Sequence, residues 1–324
     1  MSGQITLESG QEILRQVQRS ISEVVVGKNW IVERIVLSVL ARGHVLVEDV
    51  PGVGKTSLVR AAADSLGLTF RRLQFTPDLM PADVTGVSVY EPASASFRFQ
   101  PGPVFTQVLL ADEINRTSPK TQSALLEAMQ ERQVSVDGTT YPLPEPFFVF
   151  ATQNPIEYEG TFPLPEAQID RFTLRVSLGY PTPEEEFEIV RRHGRSRGWA
   201  SREPVTGAGQ ILALQSLVDS VTCVPQLVDY IIRIVQKTRR HPDVYLGCSP
   251  RGSLALERCA RALAFLRARQ YVIPDDIKEL VVPALEHRIM LKPEAKLSGV
   301  MARNVLEEIV RSVPVPAGQG ATKG

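Results

Sequence analysis

The sequence has few cysteines, and none of them lies at the spacing of a metal or redox motif. The three are Cys223, Cys248 and Cys259, an odd number without a C-x-x-C pair. Neither a disulfide framework nor a structural zinc site is therefore expected, and a reducing compartment fits this cysteine usage best. The four histidines are scattered along the chain, which argues against a histidine-rich metal site.

Net charge and long apolar runs are lacking as well. Lys+Arg and Asp+Glu are both 36, so the formal net charge is +0, and a broad basic surface for nucleic acid is not expected. No uncharged stretch approaches the roughly 18–20 apolar residues that span a bilayer. The polar amino terminus also lacks the apolar core of a signal peptide. These absences predict a cytoplasmic protein that neither binds nucleic acid nor inserts directly into a membrane.

Two parts of the chain differ in pattern, and 324 residues are enough for about two domains. From about residue 24 to 182, short apolar runs alternate with helical stretches, which predicts an α/β fold with a parallel sheet flanked by helices. From 183 to 313, the pattern is that of capped helices, so a separate helical domain is predicted. Residues 1–23 are expected to form an N-terminal helix, and 314–324 a disordered tail. The predicted strands are 44–49, 70–75, 107–112, 147–152 and 171–178.

Two β-hairpins are predicted to interrupt the αβ pattern. Residues 86–102 contain alternating runs on either side of a loop of small residues. Residues 132–144 place Asp137-Gly138 between alternating segments, a strong signal for a type I′ turn. Each hairpin is either surface decoration or a structure that lines a pore or grips a partner.

Residues 45–59, VLVEDVPGVGKTSLV, have the pattern of a phosphate-binding loop. An apolar run enters a glycine-rich turn and then a helix, an arrangement that presents backbone N–H groups to phosphate. Lys55 would reach the β- and γ-phosphates of a nucleotide, and the Thr56 hydroxyl would ligate Mg²⁺. The motif normally has glycine where this chain has Asp49. We expect Asp49 to bond nearby backbone N–H groups in an Asx turn, outside the phosphate cup.

Three polar residues follow two further predicted strands. Asp112 ends the run VLLAD and Glu113 follows it, at the edge of a parallel sheet where ligands bind. Asp112 would hold the Mg²⁺ shell, and Glu113 would act as general base toward water. Asn154 follows the strand 147–152, where its amide would bond the γ-phosphate or the attacking water, or would simply form an Asn-Pro turn.

Two arginines are candidates for contact with phosphate. Arg171 follows a short helix and is either a finger for the γ-phosphate of a neighbouring subunit or the partner of a local carboxylate, Asp170 or Glu166. Arg251 falls in the first turn of a helix capped by Ser249, where the helix dipole disfavours a cation. A nearby anion would offset that effect, and it is either a nucleotide phosphate or a local carboxylate.

Taken together, the strings EDVPGVGKT, LLADEINR, SALLEAMQERQVSVDG, FVFATQNP, EGTFPLPEAQIDRF and SPRGSLAL resemble the MoxR family of AAA+ ATPases. The resemblance extends from about residue 24 to about 313. It implies an AAA+ P-loop core followed by a C-terminal all-α lid, with ATP bound at subunit interfaces of a ring that is usually a hexamer. Members of this family are described as chaperone-like and often work beside a partner with a von Willebrand factor A domain.

The resemblance also implies a role for individual residues. Asp112 and Glu113 match Walker B, Asn154 matches sensor 1, Arg171 the arginine finger and Arg251 sensor 2. It leaves open which of Arg116, Arg171 and Arg251 acts on a neighbour's nucleotide. The first hairpin matches the insertion that marks this clade of AAA+ proteins, and the second matches the pre-sensor insertion. The residues that match the nucleotide-binding segments are Val26 and Gly27 on the adenine side and Pro51, Gly52, Val53, Gly54, Lys55, Thr56 and Ser57 of Walker A.

The function predicted from this resemblance is ATP-driven remodelling, maturation or activation of a protein client. Three alternatives belong to other classes. A nucleic-acid motor is disfavoured by the net charge of +0 and by hairpin tips without Lys or Arg. A small-molecule P-loop kinase is disfavoured because Glu113 and Asn154 suit attack by water. A nucleotide-gated adaptor with negligible turnover is disfavoured by the complete set of catalytic residues.

Overall fold

The structure is a computed structural model, and it describes residues 6–154, 160–193 and 203–316. In chain order, its strands are β1 (Val45–Glu48), β2 (Phe70–Gln74), β3 (Gly86–Glu91), β4 (Ser96–Pro101), β5 (Val108–Asp112), β6 (Gln133–Val136), β7 (Thr139–Pro142), β8 (Phe148–Gln153), β9 (Leu174–Val176), β10 (Val244–Leu246) and β11 (Met290–Leu291). The helices are α1 (Leu7–Ser22), α2 (Asn29–Leu40), α3 (Lys55–Ser65), α4 (Pro81–Thr85), α5 (Pro119–Glu131), α6 (Glu166–Ile169), α7 (Pro183–His193), α8 (Ala208–Asp219), α9 (Pro225–Thr238), α10 (Pro250–Leu266), α11 (Pro274–Leu285), α12 (Pro293–Leu297) and α13 (Ala302–Ser312).

A five-stranded parallel sheet forms the centre of the first part, in the order β2-β5-β8-β1-β9. Each predicted strand range overlaps one of these strands, and the predicted fold class is confirmed. The strands in the middle are continuously apolar because helices cover both faces of the sheet. Ala151 of β8 pairs with Ala111 of β5 on one side and with Leu46 of β1 on the other. This register brings the carboxyl ends of the three central strands to one edge.

An antiparallel hairpin lies at each of the two places where the sequence predicts one. β3 pairs with β4, and β6 pairs with β7. Asp137 and Gly138 have φ angles of 50° and 77°, so both occupy the left-handed region that a type I′ turn requires. The ring of Phe99 stacks on that of Tyr141 with centroids 4.1 Å apart, and the two hairpins therefore pack against each other.

Within the described residues, the lid that follows is mainly helical. β10 and β11 form an antiparallel pair, with Val244 opposite Leu291, so the lid is not strictly all-α as expected. The two strands are three and two residues long, too short to give an alternating pattern in the sequence. The predicted disordered tail lies mostly outside the described residues, as do residues 1–5 of the predicted N-terminal helix. Among the described helices, none combines the length and apolar character needed to cross a membrane.

Arg288, just after α11, joins the lid to the sheet. Its guanidinium donates to the carbonyl and the carboxylate of Asp170, at 2.8 and 2.5 Å, and to the carbonyl oxygen of Phe172 at 2.5 Å. The side chain of Arg288 is 2% exposed, and its charge needs such partners because an unpaired buried charge is strongly destabilising. Asp170 is therefore engaged by Arg288 and is not the partner of Arg171 that one reading of the sequence allowed.

Candidate active site

The predicted phosphate loop connects β1 to α3 at the carboxyl edge of the sheet. Gly52 and Gly54 have φ angles of 84° and 91°, and a Cβ at either position would meet nothing within 4 Å. Backbone conformation rather than space therefore requires glycine here. α3 begins at Lys55 with Gly54 as its N-cap, and no described side chain caps it. The first N–H groups of α3 thus remain available to an anion, as in other phosphate sites.

Asp49 turns away from this loop toward the end of β9. Its carboxylate accepts hydrogen bonds from the N–H of Leu178, the N–H of Gly179 at 3.1 Å and the hydroxyl of Ser177 at 3.2 Å. These partners lie 128–130 residues away in the chain, so the expected local Asx turn is wrong. The carbonyl oxygen of Asp49 accepts from Lys55 Nζ at 3.0 Å. Asp49 thus fastens the start of the loop to the strand beside it.

Replacement of Asp49 by alanine should lower stability more than nucleotide affinity. The change leaves two backbone N–H groups without their acceptor, and the free energy of unfolding should fall by about 2 kcal/mol. Asp49→Asn keeps one acceptor oxygen and should lie between the parent and Asp49→Ala. Urea unfolding and calorimetric binding of ADP measure the two effects. A variant of parental stability that no longer binds nucleotide would show that Asp49 contacts the ligand.

Asp112 ends β5, and its side chain is 12% exposed. One oxygen accepts from the Thr152 hydroxyl of β8 at 2.5 Å. The other accepts from Nε and Nη2 of Arg72 at 3.0 and 2.7 Å. Arg72 is on β2, the edge strand next to β5, so this ion pair crosses between neighbouring strands. Asp112 therefore has a hydrogen-bond donor on each oxygen and a cation beside it.

Glu113 lies at the same edge with its backbone in the left-handed region, at φ 57°. Its N–H donates to the Thr152 hydroxyl at 2.8 Å. One carboxylate oxygen accepts from the amide of Gln74 at 2.6 Å and from Arg116 at 3.0 Å. Left-handed backbone is uncommon for residues other than glycine and is typical of functional positions held by their surroundings. Three contacts hold Glu113 in this position.

Asn154 and the adenine-side segment border the same region. Asn154 is 5% exposed and directly follows β8. The N–H of Asp49 donates to the carbonyl oxygen of Gln153, the residue before Asn154, at 3.3 Å. Pro155, which would complete an Asn-Pro turn, lies outside the described residues. Gly27, next to Val26, has φ 73°, and a Cβ there would overlap the carboxylate of Glu185. Lys28 also pairs with Glu185 at 3.3 Å, so α7 closes over this segment.

Arg171 and Arg251 lie at the opposite edge of the sheet. Together with His44 and Gln130, they line a cleft of about 190 Å³ between the sheet and the lid. His44 immediately precedes β1, and its carbonyl oxygen accepts from the N–H of Thr173 at 2.8 Å. The phosphate loop leaves the other end of β1, which is four residues long, so roughly 13 Å of strand separates the two sites.

Arg171 and Arg251 share this cleft with Arg258, Arg288 and Asp170. Among the described residues, neither Arg171 nor Arg251 has a hydrogen bond to a carboxylate. Arg251 donates to the amide oxygen of Gln130 at 3.0 Å. Nε of Arg171 is buried and has no hydrogen-bond partner within the described ranges. Burial and the nearby charge of Arg251 lower the pKa of Arg171 from its ordinary value. Such a pair of cations favours an anion in the cleft.

His44 forms the floor of the cleft and is neutral. Nδ1 accepts from the N–H of Val149 at 3.0 Å, so Nε2 carries the proton and donates to the carbonyl oxygen of Met129 at 3.1 Å. Burial lowers the pKa of His44 to about 4. The positive charge of the cleft therefore comes from its arginines.

Comparison with known proteins decides the family. Residues 44–174 match the model of an ATPase family associated with various cellular activities (AAA), and 236–309 match an AAA lid domain. Chaperone MoxR1 of Mycobacterium tuberculosis is 44% identical over 93% of this chain and 82% of its own length. Protein MoxR of Paracoccus denitrificans is 32% identical over 94% of this chain and 96% of its own.

The chain belongs to the MoxR family of AAA+ ATPases. The protein YeaC of Bacillus subtilis is 52% identical over 96% of this chain and 97% of its own length. A crystal structure of a protein from Cytophaga hutchinsonii superimposes with a TM-score of 0.91 at 39% identity, covering 96% and 97% of the two chains. The MoxR-type core and lid thus extend over nearly the whole sequence.

The MoxR-type site contains residues that sequence reasoning missed. Arg72 and Gln74 project from β2 onto the acid pair, and Thr152 of β8 contacts both acids. The signal for the first two is the string FRRLQF, in which they lie two residues apart and so share one face of a predicted strand. Polar residues at this spacing usually indicate a solvated face of an edge strand, and only the strand order shows that this face meets Asp112.

The residues at the carboxyl edge fit a metal–nucleotide complex. Two glycines hold the loop open, and the start of α3 presents uncapped N–H groups. A buried carboxylate and the Thr56 hydroxyl supply oxygen ligands of the kind that Mg²⁺ prefers. Asp112 already binds a cation, Arg72, which shows that the position favours positive charge.

Proposed function

We propose that this chain is a cytoplasmic ATPase that assembles into a ring, the hexamer usual for the family, and remodels a protein client. The observation that carries the proposal is the separation of the two sets of polar residues. Lys55, Asp112 and Glu113 lie at one edge of the sheet, while Arg171 and Arg251 lie at the other. Both arginines are therefore better placed to act on the nucleotide of a neighbouring copy than on their own. The free cysteines fit a reducing compartment.

Each residue at the carboxyl edge has a chemical task in this proposal. N–H groups of the loop and the ammonium of Lys55 bind the phosphates, and Val26 and Gly27 border the base. When bound by Asp112 and Thr56, Mg²⁺ supplies positive charge to the phosphate oxygens. Glu113 accepts the proton of the attacking water, and Asn154 orients that water.

The neighbouring copy completes the site. Its Arg171 stabilises charge that develops on the γ-phosphate, and its Arg251 supports the same phosphate from the lid. Arg116 is not assigned to this task, because it bonds Glu113 within its own subunit at 3.0 Å. Hydrolysis therefore requires two copies, which links ATP turnover to assembly of the ring.

We assign contact with the client to the β3–β4 hairpin. Tyr90 and Phe97 form an edge-to-face pair near its tip, with centroids 5.4 Å apart, and they are 51% and 73% exposed. Exposed aromatic residues are enriched at protein interfaces. The name of one relative, Chaperone MoxR1, supports a protein client. A partner with a von Willebrand factor A domain belongs to the same proposal.

Replacement of Lys55 by alanine tests nucleotide binding itself. Loss of a charge-assisted contact should weaken ATP binding by about 10- to 100-fold and should abolish phosphate release. Lys296→Ala, which removes an exposed lysine of α12, should change neither. Phosphate release should occur with ATP alone, without an acceptor molecule. Unchanged ATP affinity in Lys55→Ala would contradict the assignment of the loop.

A further inference from the structure

Arg72 occupies the carboxylate that the proposed reaction reserves for a metal ion. Its guanidinium places two donors, Nε and Nη2, on a single oxygen of Asp112, at 3.0 and 2.7 Å. The second oxygen of Asp112 is engaged by Thr152 at 2.5 Å. Because Asp112 is 8% exposed, little of its carboxylate is left for another ligand.

A buried carboxylate needs a compensating charge, and at this oxygen Arg72 provides it. An unpaired charge at such a site is strongly destabilising, which accounts for the contact between Arg72 and Asp112. A divalent cation bound at the same oxygen would bring like charges together, and the guanidinium would be repelled. We propose that Arg72 competes with Mg²⁺ for Asp112 and leaves this carboxylate when the metal–nucleotide complex binds. The proposal rests on the proposed function.

Arg72 has the freedom that this exchange requires. It lies on β2, which pairs with β5 alone in the sheet, and 49% of its side chain is exposed. Nη2 already donates to the side-chain oxygen of Gln74 at 2.9 Å. A short rotation can therefore carry the guanidinium off Asp112 into solvent while that contact is kept.

The exchange also affects Glu113, the acidic residue next to Asp112. Gln74 accepts from Arg72 through its oxygen and donates to Glu113 through its nitrogen, at 2.9 and 2.6 Å. A single row of side chains thus connects Asp112 to Glu113 by way of β2. The position of Arg72 consequently influences the orientation of the residue proposed as general base.

The competition predicts that Arg72→Ala changes the affinity for ADP in opposite directions without and with Mg²⁺. Without Mg²⁺, removal of Arg72 leaves the charge of Asp112 uncompensated beside the phosphates, so ADP should bind more weakly. With Mg²⁺, no guanidinium has to be displaced, so ADP should bind more tightly. The ratio of the two dissociation constants, Kd without Mg²⁺ over Kd with Mg²⁺, should rise about tenfold in Arg72→Ala.

Calorimetric titration of ADP, with EDTA and with saturating Mg²⁺, measures this ratio without requiring hydrolysis. Arg71→Ala is the matched control, since Arg71 is the same residue type on the same strand but bonds the carbonyl oxygen of Gly102. Its ratio should equal that of the parent. Arg72→Lys keeps a cation near Asp112 and should give an intermediate ratio. Thermal unfolding of each variant identifies any that fails to fold.

The outcomes separate this inference from the function on which it rests. A parent protein that binds no nucleotide would contradict the proposed function and the competition with it. A parent that binds ADP, combined with an unchanged or lower ratio in both Arg72 variants, would overturn the competition alone. Weaker binding of ADP by Arg72→Ala both with and without Mg²⁺ would also overturn it, because Arg72 would then contact phosphate directly.

Discussion

Replacement of Arg171 by alanine should leave ATP bound with parental affinity while turnover falls by about 10³-fold or more, as for arginine fingers in general. The affinity is retained because Arg171 lies at the amino edge of the sheet, remote from the phosphate loop of its own subunit. Turnover falls because the neighbouring site loses the guanidinium that neutralises developing charge. Calorimetric binding and phosphate release measure the two quantities separately.

Arg303→Ala is the matched control for this change. Arg303 is an exposed arginine of α13, in the lid. Its replacement should leave ATP affinity and turnover within about twofold of the parent values, as is usual for surface substitutions. Arg251→Ala should resemble Arg171→Ala in direction. If Arg171→Ala instead lost ATP binding, Arg171 would act within its own subunit or would hold the fold together.

Replacement of Glu113 by glutamine should give a protein that binds ATP and scarcely hydrolyses it. Glutamine keeps an oxygen that can accept from Gln74 and Arg116 but cannot take a proton from water. Loss of general base catalysis corresponds to a decrease of about 10²- to 10⁴-fold. Single-turnover hydrolysis and ATP binding measure the effect, and the ATP-bound variant is also suited to capturing a client.

Glu294→Gln in α12 provides the control for loss of a surface carboxylate. Its turnover should match that of the parent. Parental turnover in Glu113→Gln would show that another residue is the base. Loss of ATP binding in the same variant would show that Glu113 holds the nucleotide and does not act on water.

Much of the fold could be predicted because the relevant signals are local. The apolar run ending at Asp112 identifies a buried strand, and the pair Asp137-Gly138 identifies a turn whatever surrounds it. The edge at which Lys55 and Asp112 meet also follows from simple geometry, since parallel strands share the direction of their carboxyl ends.

The contacts that were missed or wrong depend on the order of strands and the docking of the lid. The sequence predicts that Asp49 bonds its own neighbours, yet its partners directly follow β9, which lies beside β1 only because of the strand order. Arg72 meets Asp112 for the same reason. The sequence allows Asp170 as a partner for Arg171, but the carboxylate of Asp170 pairs with Arg288 of the lid. No local pattern encodes such long-range pairings.

The cleft shared by Arg171 and Arg251 likewise comes from tertiary packing. α10 begins next to the end of α5, where Arg251 reaches Gln130. The sequence suggests a role for each arginine separately and does not predict that they share a cleft. Their shared position at the amino edge now favours one role for both, on the nucleotide of a neighbouring copy.

Mixing two inactive variants tests this central claim most directly. Lys55→Ala copies bind ATP weakly and do not hydrolyse it but carry intact arginines, whereas Arg171→Ala copies bind ATP but lack the finger. At a mixed interface, Arg171 of the first faces ATP on the second, so phosphate release should return, depend on the mixing ratio and vanish on dilution below assembly. A mixture of Lys55→Ala with parent copies shows whether a ring tolerates inactive sites, and energy transfer between labelled copies verifies exchange. If exchange and tolerance are both observed and the two variants together remain inactive, hydrolysis does not use Arg171 from a neighbouring copy.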